Sequence, residues 1–164
     1  MYDHKRVLIA LDGSPSSEAV LRFVLEIAGP LDMTVILLRV VEPVVPPAAG
    51  DALGLSIDVI EPRTLDAEEY LAPIAAALRA RGVHVAWQIR YGRPDDQILA
   101  AADESGVDMI AMATHGRTGV GRLLFGSIAE AVLRRATVPV FMIRQPDTAG
   151  VTQAAPASPA KAGV

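Results

Sequence analysis

The sequence predicts a single α/β domain in which a five-stranded parallel sheet carries helices on both faces. Two observations predict this fold class. Short apolar runs of strand length alternate with segments of helical periodicity up to about residue 144, which is the order of a doubly wound sheet. The chain has 164 residues, 51% of them hydrophobic, and this length suits one good core but is short for two domains.

The first strand and helix have clear sequence signals. Residues 7–11 form an apolar run, Val-Leu-Ile-Ala-Leu, that predicts a buried strand. Ser14 can cap a helix that has Pro15 in its first turn. Helical spacing then continues to about residue 29, and we expect its buried stripe to hold Val20, Phe23, Val24 and Ile27.

The middle of the chain predicts a strand, a loop, a helix and a second strand. Residues 34–41 are apolar and β-branched, whereas residues 44–63 combine proline and glycine without periodicity, which indicates a long loop or lid. A helix is expected over 65–81, kinked or divided at Pro73 because proline lacks a backbone N–H. Residues 83–91 alternate apolar and polar side chains, as in a strand near a sheet edge.

The last helices and strands follow the same alternation. A short helix is expected from Pro94 to a stop at Gly106, and the apolar runs 109–113 and 138–143 predict the fourth and fifth strands. After residue 144 the composition shifts to Ala, Pro, Thr and Gly, which predicts a disordered tail over 145–164.

The helix before the fifth strand begins with a capping-box pattern. Ser127 to Glu130 reads S-x-x-E, so Ser127 is predicted to be the N-cap. The face of this helix that we expect to be buried comprises Ile128, Ala131, Val132 and Arg135.

Residues 113–127 have the composition of an anion-binding segment. They contain four of the thirteen glycines, two arginines and the helix-starting Ser127. Glycine allows backbone N–H groups to approach a ligand, and a helix N-terminus favours negative charge. The segment has no lysine at the position that a P-loop requires, and it lacks the G-x-G-x-x-G dinucleotide pattern. A phosphate group is the predicted ligand, although the segment matches neither of these two common motifs.

Composition and charge exclude several classes of function. The net charge of −4 argues against a nucleic-acid partner. The chain has no cysteine and its three histidines show no ligand spacing, so a structural zinc site is not expected. No apolar run approaches the length of a membrane span or follows the pattern of a signal peptide, and we expect a cytoplasmic protein with no membrane partner.

Asp108 through Val140 resembles the universal stress protein family. The matching residues are Thr114-His115-Gly116-Arg117-Thr118-Gly119, Gly126-Ser127 and Val138-Pro139-Val140, and the run from Val7 to Ser14 resembles that family's first strand. The resemblance covers residues 5 to 144. It implies a Rossmann-like (adenine nucleotide alpha hydrolase-like) domain over residues 1–144, with a five-stranded parallel sheet, and a homodimer that pairs through strand 138–143.

The resemblance also implies ATP binding, because one branch of the family carries G-x-x-G, nine residues, then G-[S/T]. Here Gly116 is the second glycine, 117–125 is the spacer and Gly126-Ser127 closes the pattern. Ala113 stands where the pattern has its first glycine. The implied nucleotide-binding residues are Ala10, Asp12, Val40, Met112, Ala113, Gly116, Arg117, Gly126, Ser127 and Ile128.

The resemblance gives these residues different roles. Backbone groups of Ala113 and Gly116 would contact the ribose, the backbone of Val40 would contact the adenine, and Gly126 to Ile128 would hold the phosphates. Asp12 would approach a phosphate-bound Mg²⁺ through water or contact the nucleoside, or else it only fixes the following turn. Ser127 serves a phosphate or a helix cap equally well.

The leading hypothesis is an ATP-binding stress-response regulator that acts as a nucleotide-responsive homodimer with weak or no hydrolysis. Two alternatives stay open: a slow ATPase or phosphotransferase, and a scaffold of the same fold that binds no nucleotide. No residue is assigned a catalytic role, since neither a carboxylate nor a serine is spaced to identify it as a partner of His115.

Overall fold

The structure, a computed structural model, describes residues 5–43, 57–116 and 126–146. Strands and helices alternate along these ranges, as the sequence predicts. The elements are β1 (Arg6–Leu11), α1 (Pro15–Ala28), β2 (Thr34–Val41), α2 (Ile57–Ala80), β3 (His84–Tyr91), α3 (Pro94–Ser105), β4 (Met109–Gly116), α4 (Ser127–Arg135) and β5 (Val140–Pro146).

The five strands form one parallel sheet in the order β3-β2-β1-β4-β5. The chain builds outward from β1 to one edge of the sheet and then returns to the other side of β1. The predicted fold class and the edge position of β3 are both confirmed. Between β1 and β4 the direction of winding reverses, and in open α/β sheets a ligand crevice forms at the carboxyl ends of strands at such a point.

Each face of the sheet has its own hydrophobic cluster. Side chains of α1 and α2 pack on one face, in what we call the first cluster. Side chains of α3 and α4 pack on the opposite face, in the second cluster. Val7, Leu8 and Ile9 of β1 have no exposed surface, because both faces of this central strand are covered; this is why β1 is apolar throughout rather than alternating.

Helix α1 begins as predicted. The Ser14 hydroxyl accepts a hydrogen bond of 3.1 Å from the Ser17 N–H, and Pro15 is the first helical residue. The buried stripe differs slightly from the prediction, because Val20, Val24 and Ala28 are buried whereas Ile27 is 37% exposed. The helix end meets the core through the small Ala28.

Helix α2 is longer than predicted. It begins at Ile57, so the loop predicted over 44–63 is wrong for 57–63, and its remainder lies outside the described residues. The helix also continues through Pro73 without dividing. Pro73 is exposed, so the carbonyl that loses its helical partner there can bond to water.

Helix α4 starts without the predicted capping box. Gly126 occupies the N-cap position, Ser127 is the first helical residue, and no described side chain caps the helix. Glu130 instead accepts a 2.6 Å hydrogen bond from Arg134. The buried residues of the helix are Ala129 and Val132, whereas Ile128, predicted to be buried, is 38% exposed.

The last two strands extend beyond the predicted segments. β4 continues to Gly116, three residues past the predicted end, and β5 runs from Val140 to Pro146 rather than from 138 to 143. Residues 145 and 146, expected in the disordered tail, therefore belong to a strand, and the rest of that tail lies outside the described residues. In the described ranges, no helix is long and apolar enough to cross a membrane.

The two serines at helix starts allow a matched test of capping. We expect Ser14→Ala to lower the free energy of unfolding by about 1 kcal/mol, because the Ser17 N–H loses its acceptor. Ser127→Ala should change it by less than about 0.5 kcal/mol, since Ser127 is exposed and caps nothing. Urea unfolding of both variants measures the difference, and equal losses would contradict the assignment of caps.

Helices α3 and α4 are also joined by an ion-pair cluster. Arg135 donates hydrogen bonds of 3.2 Å to Asp95 and 2.7 Å to Asp96. The hydrogen bond from Arg135 holds the pKa of Asp96 below its ordinary value, outweighing the desolvation that opposes it. The cluster fixes the start of α3 against the end of α4.

This cluster predicts a pH dependence of stability. The pKa of Asp96 is lowered in the folded state. The contribution of Asp96 to the free energy of unfolding is therefore fully present above the ordinary pKa of about 4, and it is lost as the pH falls through the lowered pKa. The melting temperature of Asp96→Asn should therefore fall below that of the wild type at pH 7, and the gap should narrow as the pH falls below about 4. A gap that stays constant between pH 7 and pH 2 would show that Asp96 is not stabilised as an anion.

Candidate functional site

A cleft of about 240 Å³ opens at the carboxyl ends of β1, β2 and β4, where the winding of the sheet reverses. The first turns of α3 and α4 complete its walls. The residues that line it are Ala10, Leu11, Asp12, Ser17, Leu38, Arg39, Val40, Glu42, Pro94, Ile98, Met112, Ala113, Thr114, Gly126, Ser127, Ile128 and Ala129.

The structure brings together most of the residues that the sequence predicted for one site. Eight of the ten lie in the lining of this cleft: Ala10, Asp12, Val40, Met112, Ala113, Gly126, Ser127 and Ile128. Gly116 ends β4 and is not among the described lining residues, and Arg117 lies outside the described residues. Segments more than 100 residues apart thus converge because parallel strands end at one edge of the sheet.

The floor of the cleft is apolar. Leu38, Ile98 and Met112 belong to the second cluster and have almost no exposed surface. Leu38 and Ile98 are not among the predicted site residues, although the period of two along β2 places Leu38 on the same face as Val40. A floor of this kind accommodates a flat apolar group such as an aromatic ring.

The N-terminus of α4 forms one rim of the cleft. Its first N–H groups have no acceptor within the helix, and the helix dipole adds partial positive charge. Within the described ranges no side chain caps this end, and Gly126, Ser127 and Ile128 are all exposed. The rim therefore favours an anion that the backbone can bind.

Gly126 leaves space at this rim. Its φ of −61° is an ordinary value that any residue adopts. A Cβ built at Gly126 would meet no described atom within 4 Å. Neither the backbone conformation nor the packing of the described residues requires glycine here. The absence of a side chain therefore matters only for a ligand that approaches the N-terminus of α4 from the cleft.

Asp12 has the turn-fixing role that the sequence analysis considered. Its Oδ1 accepts a 2.8 Å hydrogen bond from the Ser14 N–H, and its own N–H donates to the Ser17 hydroxyl at 3.3 Å. Between them Gly13 has a φ of +87°, which favours glycine. Asp12 also lines the cleft, so this turn places a carboxylate at the mouth of the cleft.

Ala113 lies on the other side of β4 from the apolar floor. Because side chains alternate along a strand, Met112 belongs to the second cluster, whereas the Ala113 side chain packs with the first. Ala113 is the residue that replaces the first glycine of the family pattern. Its methyl group therefore points to the face of the sheet that carries α1 and α2. Its backbone remains at the cleft.

Thr114 is a lining residue that the sequence analysis did not single out. Its side chain follows Met112 on the same face of β4, and the residue is 4% exposed. The Oγ1 atom is buried and has no hydrogen-bond partner in the described structure. Two sequence signals, the alternation of β4 and the polarity of threonine among apolar residues, could have identified it.

A second, more polar cleft of about 630 Å³ adjoins the first. The two share Asp12, Arg39, Val40, Glu42 and Ile128. Tyr70 of α2 lines the second cleft, and burial raises the pKa of its hydroxyl to about 12, so this group is neutral. Among the described residues no cluster of three or more His, Cys, Asp or Glu side chains could hold a metal ion by itself.

The comparisons with known proteins agree on one family. The model of the universal stress protein family matches residues 3–144. Universal stress protein MJ0531 from Methanocaldococcus jannaschii is 31% identical over 144 residues, which cover 87% of this chain and 84% of that protein.

Solved structures of the same family share the fold. A universal stress protein family member from Burkholderia pseudomallei has a TM-score of 0.66 and 25% identity, covering 85% of this chain and 96% of its own. The universal stress protein from Archaeoglobus fulgidus in complex with dAMP has a TM-score of 0.59 and 26% identity, covering 87% of this chain and 98% of its own. On the match of the family model over nearly all of the described residues, this chain belongs to the universal stress protein family.

Proposed function

We propose that this protein binds an adenine nucleotide, with ATP as the expected ligand, in the cleft between β1, β2, β4 and α4, and that it acts as a nucleotide-responsive stress regulator. The observation that carries the proposal is the pairing of an apolar floor with an uncapped helix N-terminus in one cleft. A nucleotide fits both features, because its flat base suits the apolar floor and its anionic phosphates suit the helix N-terminus.

The comparison with the Archaeoglobus fulgidus protein supports the class of ligand. That protein was solved in complex with dAMP and is 26% identical to this chain over nearly its whole length. In the proposed arrangement the adenine lies on the floor of Leu38, Ile98 and Met112, beside the backbone of Val40. The ribose lies against the backbone of Ala113 and Gly116.

The phosphates are proposed to lie at the start of α4. Backbone N–H groups of Gly126, Ser127 and Ile128 would bind them, and the Ser127 hydroxyl is available because it caps no helix. Arg117 would add positive charge from the spacer. The segment lacks the lysine of a P-loop and the proposed ligands are mainly backbone groups, so we expect binding and regulation with weak or no hydrolysis.

Mg²⁺ is proposed to enter with the phosphates rather than to bind the protein alone. Mg²⁺ is commonly held by one or two carboxylates together with substrate phosphates and water. Asp12 supplies a carboxylate at the mouth of the cleft, and no described cluster offers a site made only of protein ligands. These residues fit a nucleotide-bound Mg²⁺ that reaches Asp12 through water.

Substituting Gly126 tests the placement of the phosphates. We expect Gly126→Ala to weaken ATP and AMP at least tenfold, because the added methyl occupies space that the free protein leaves open and a bound phosphate would need. The stability of the free variant should stay near that of the wild type, since its φ of −61° suits alanine. Isothermal titration and the nucleotide-induced rise in melting temperature measure the two effects.

Gly29→Ala is the matched control. Gly29 also lies at a helix end with a φ of −61°, and a Cβ there would make only an ordinary 3.5 Å contact with the Leu25 carbonyl. It lies at the end of α1 and is not in the described lining of either cleft. This variant should bind nucleotide like the wild type. If the wild type shows no thermal shift with ATP, AMP or GTP at millimolar concentration, the proposed function is wrong.

We also propose a homodimer formed through the β5 edge of the sheet, corresponding to the predicted pairing of strand 138–143. β5 pairs only with β4 among the described strands. Its residues Phe141, Met142 and Ile143 are apolar and only partly buried. An edge of this composition invites pairing with another chain, and a second copy would cover it.

A charge on β5 should disrupt this dimer. Met142→Lys is expected to give a monomer at micromolar concentration by light scattering, because desolvating the ammonium group in an interface is costly. His84→Lys adds the same side chain on β3, at the opposite edge, and should remain dimeric. Circular dichroism checks that both variants are folded, and a monomeric wild type would contradict the proposed dimer.

A further inference from the structure

Two buried side-chain oxygens lack a hydrogen-bond partner in the described structure, the hydroxyls of Thr114 and Tyr70. Both border a cleft, Thr114 the first and Tyr70 the second. A buried hydroxyl normally has a partner, because removing it from water without one is costly. Of the two residues Thr114 is the more deeply buried, at 4% exposed.

The position of Thr114 along β4 limits what its partner can be. Ile110, Met112 and Thr114 follow one another on the face of β4 that carries α3 and α4. Successive side chains on one face of a strand are about 7 Å apart. The Thr114 hydroxyl therefore lies about 7 Å beyond Met112, toward the mouth of the cleft.

The other polar feature of the cleft lies farther out. The start of α4 is exposed at Gly126 and Ser127, whereas Thr114 is buried behind this rim and beside the apolar floor. A ligand whose ring rests on the floor and whose anion reaches α4 must place its connecting part near Thr114. In a nucleotide that connecting part is the sugar.

We propose that the Thr114 hydroxyl forms a hydrogen bond with a sugar hydroxyl of the bound nucleotide and so makes Thr114 a specificity-determining residue for ribose. This inference rests on the proposed function, because it names a side-chain contact within the same cleft. It also gives the buried hydroxyl the partner that the described protein atoms do not provide.

The free protein gives the first test. Thr114→Val keeps the shape of the side chain and removes the hydroxyl, so it deletes an unsatisfied buried group. We expect the melting temperature of the nucleotide-free variant to equal or exceed that of the wild type. A clear fall in melting temperature would mean that protein atoms already satisfy the hydroxyl, and the inference would be wrong.

Titration with a series of nucleotides gives the second test. The probes are AMP, 2′-deoxy-AMP, 3′-deoxy-AMP and 2′,3′-dideoxy-AMP, each titrated into the wild type, Thr114→Val and Thr114→Ser. For AMP we expect Thr114→Val to weaken binding about two- to twelve-fold, the range of a neutral hydrogen bond. Thr114→Ser keeps the hydroxyl and should retain most of the affinity.

The deoxy probes form a double-mutant cycle with the protein variants. The loss caused by Thr114→Val should disappear for 2′,3′-dideoxy-AMP, and the single deoxy probe that shares this insensitivity identifies the hydroxyl involved. An equal loss for all four probes would place the contact on the base or phosphate and overturn the inference.

The failures of the two proposals are distinguishable. If the wild type binds AMP and Thr114→Val binds each probe as tightly as the wild type does, the proposed role of Thr114 is wrong and the proposed nucleotide site stands. If the wild type binds none of the four probes and no ATP, both proposals fail.

Discussion

The burial of β1 on both faces is the constraint on which the rest of the structure depends. Three consecutive residues of this strand have no exposed surface, so helices must cover the sheet on both sides and strands must flank β1 at both of its edges. The chain satisfies this by winding outward through β2 and β3 and then returning to β4 and β5. The return creates the reversal between β1 and β4, and the cleft lies at that reversal. The same burial that stabilises the core therefore determines where a ligand can enter.

The architecture could be predicted because apolar runs and helix stops are local signals. The strand at 34–41 and the left-handed stop at Gly106, whose φ is +56°, appear as predicted. The helix predicted over 65–81 is present and continues through Pro73, which lies on its exposed side. An error arose where local and tertiary signals compete. Ser127 reads as an N-cap, but Gly126 occupies that position.

The candidate site was predictable where it depends on strand ends and glycines, and less so where it depends on packing. Asp12 and Gly126 were found from their positions in a recognisable pattern, and both line the cleft. Ile98 belongs to the second cluster, and its place in the lining of the cleft results from the packing of α3 against the sheet. The alternation along β4 places Thr114 on the same face as Met112, but the missing partner of its hydroxyl is a property of the folded arrangement that the sequence does not show.

The shortness of α4 brings two regions of the fold close together. At nine residues the helix is about 14 Å long, and four residues after its end the chain enters β5 at the border of the sheet. The N-terminus of α4 at the rim of the cleft is thus separated from the edge strand β5 by one short helix and a connection of four residues. Because α4 is also joined to α3 through Arg135, the rim of the cleft, the start of α3 and the edge strand lie in one connected part of the fold.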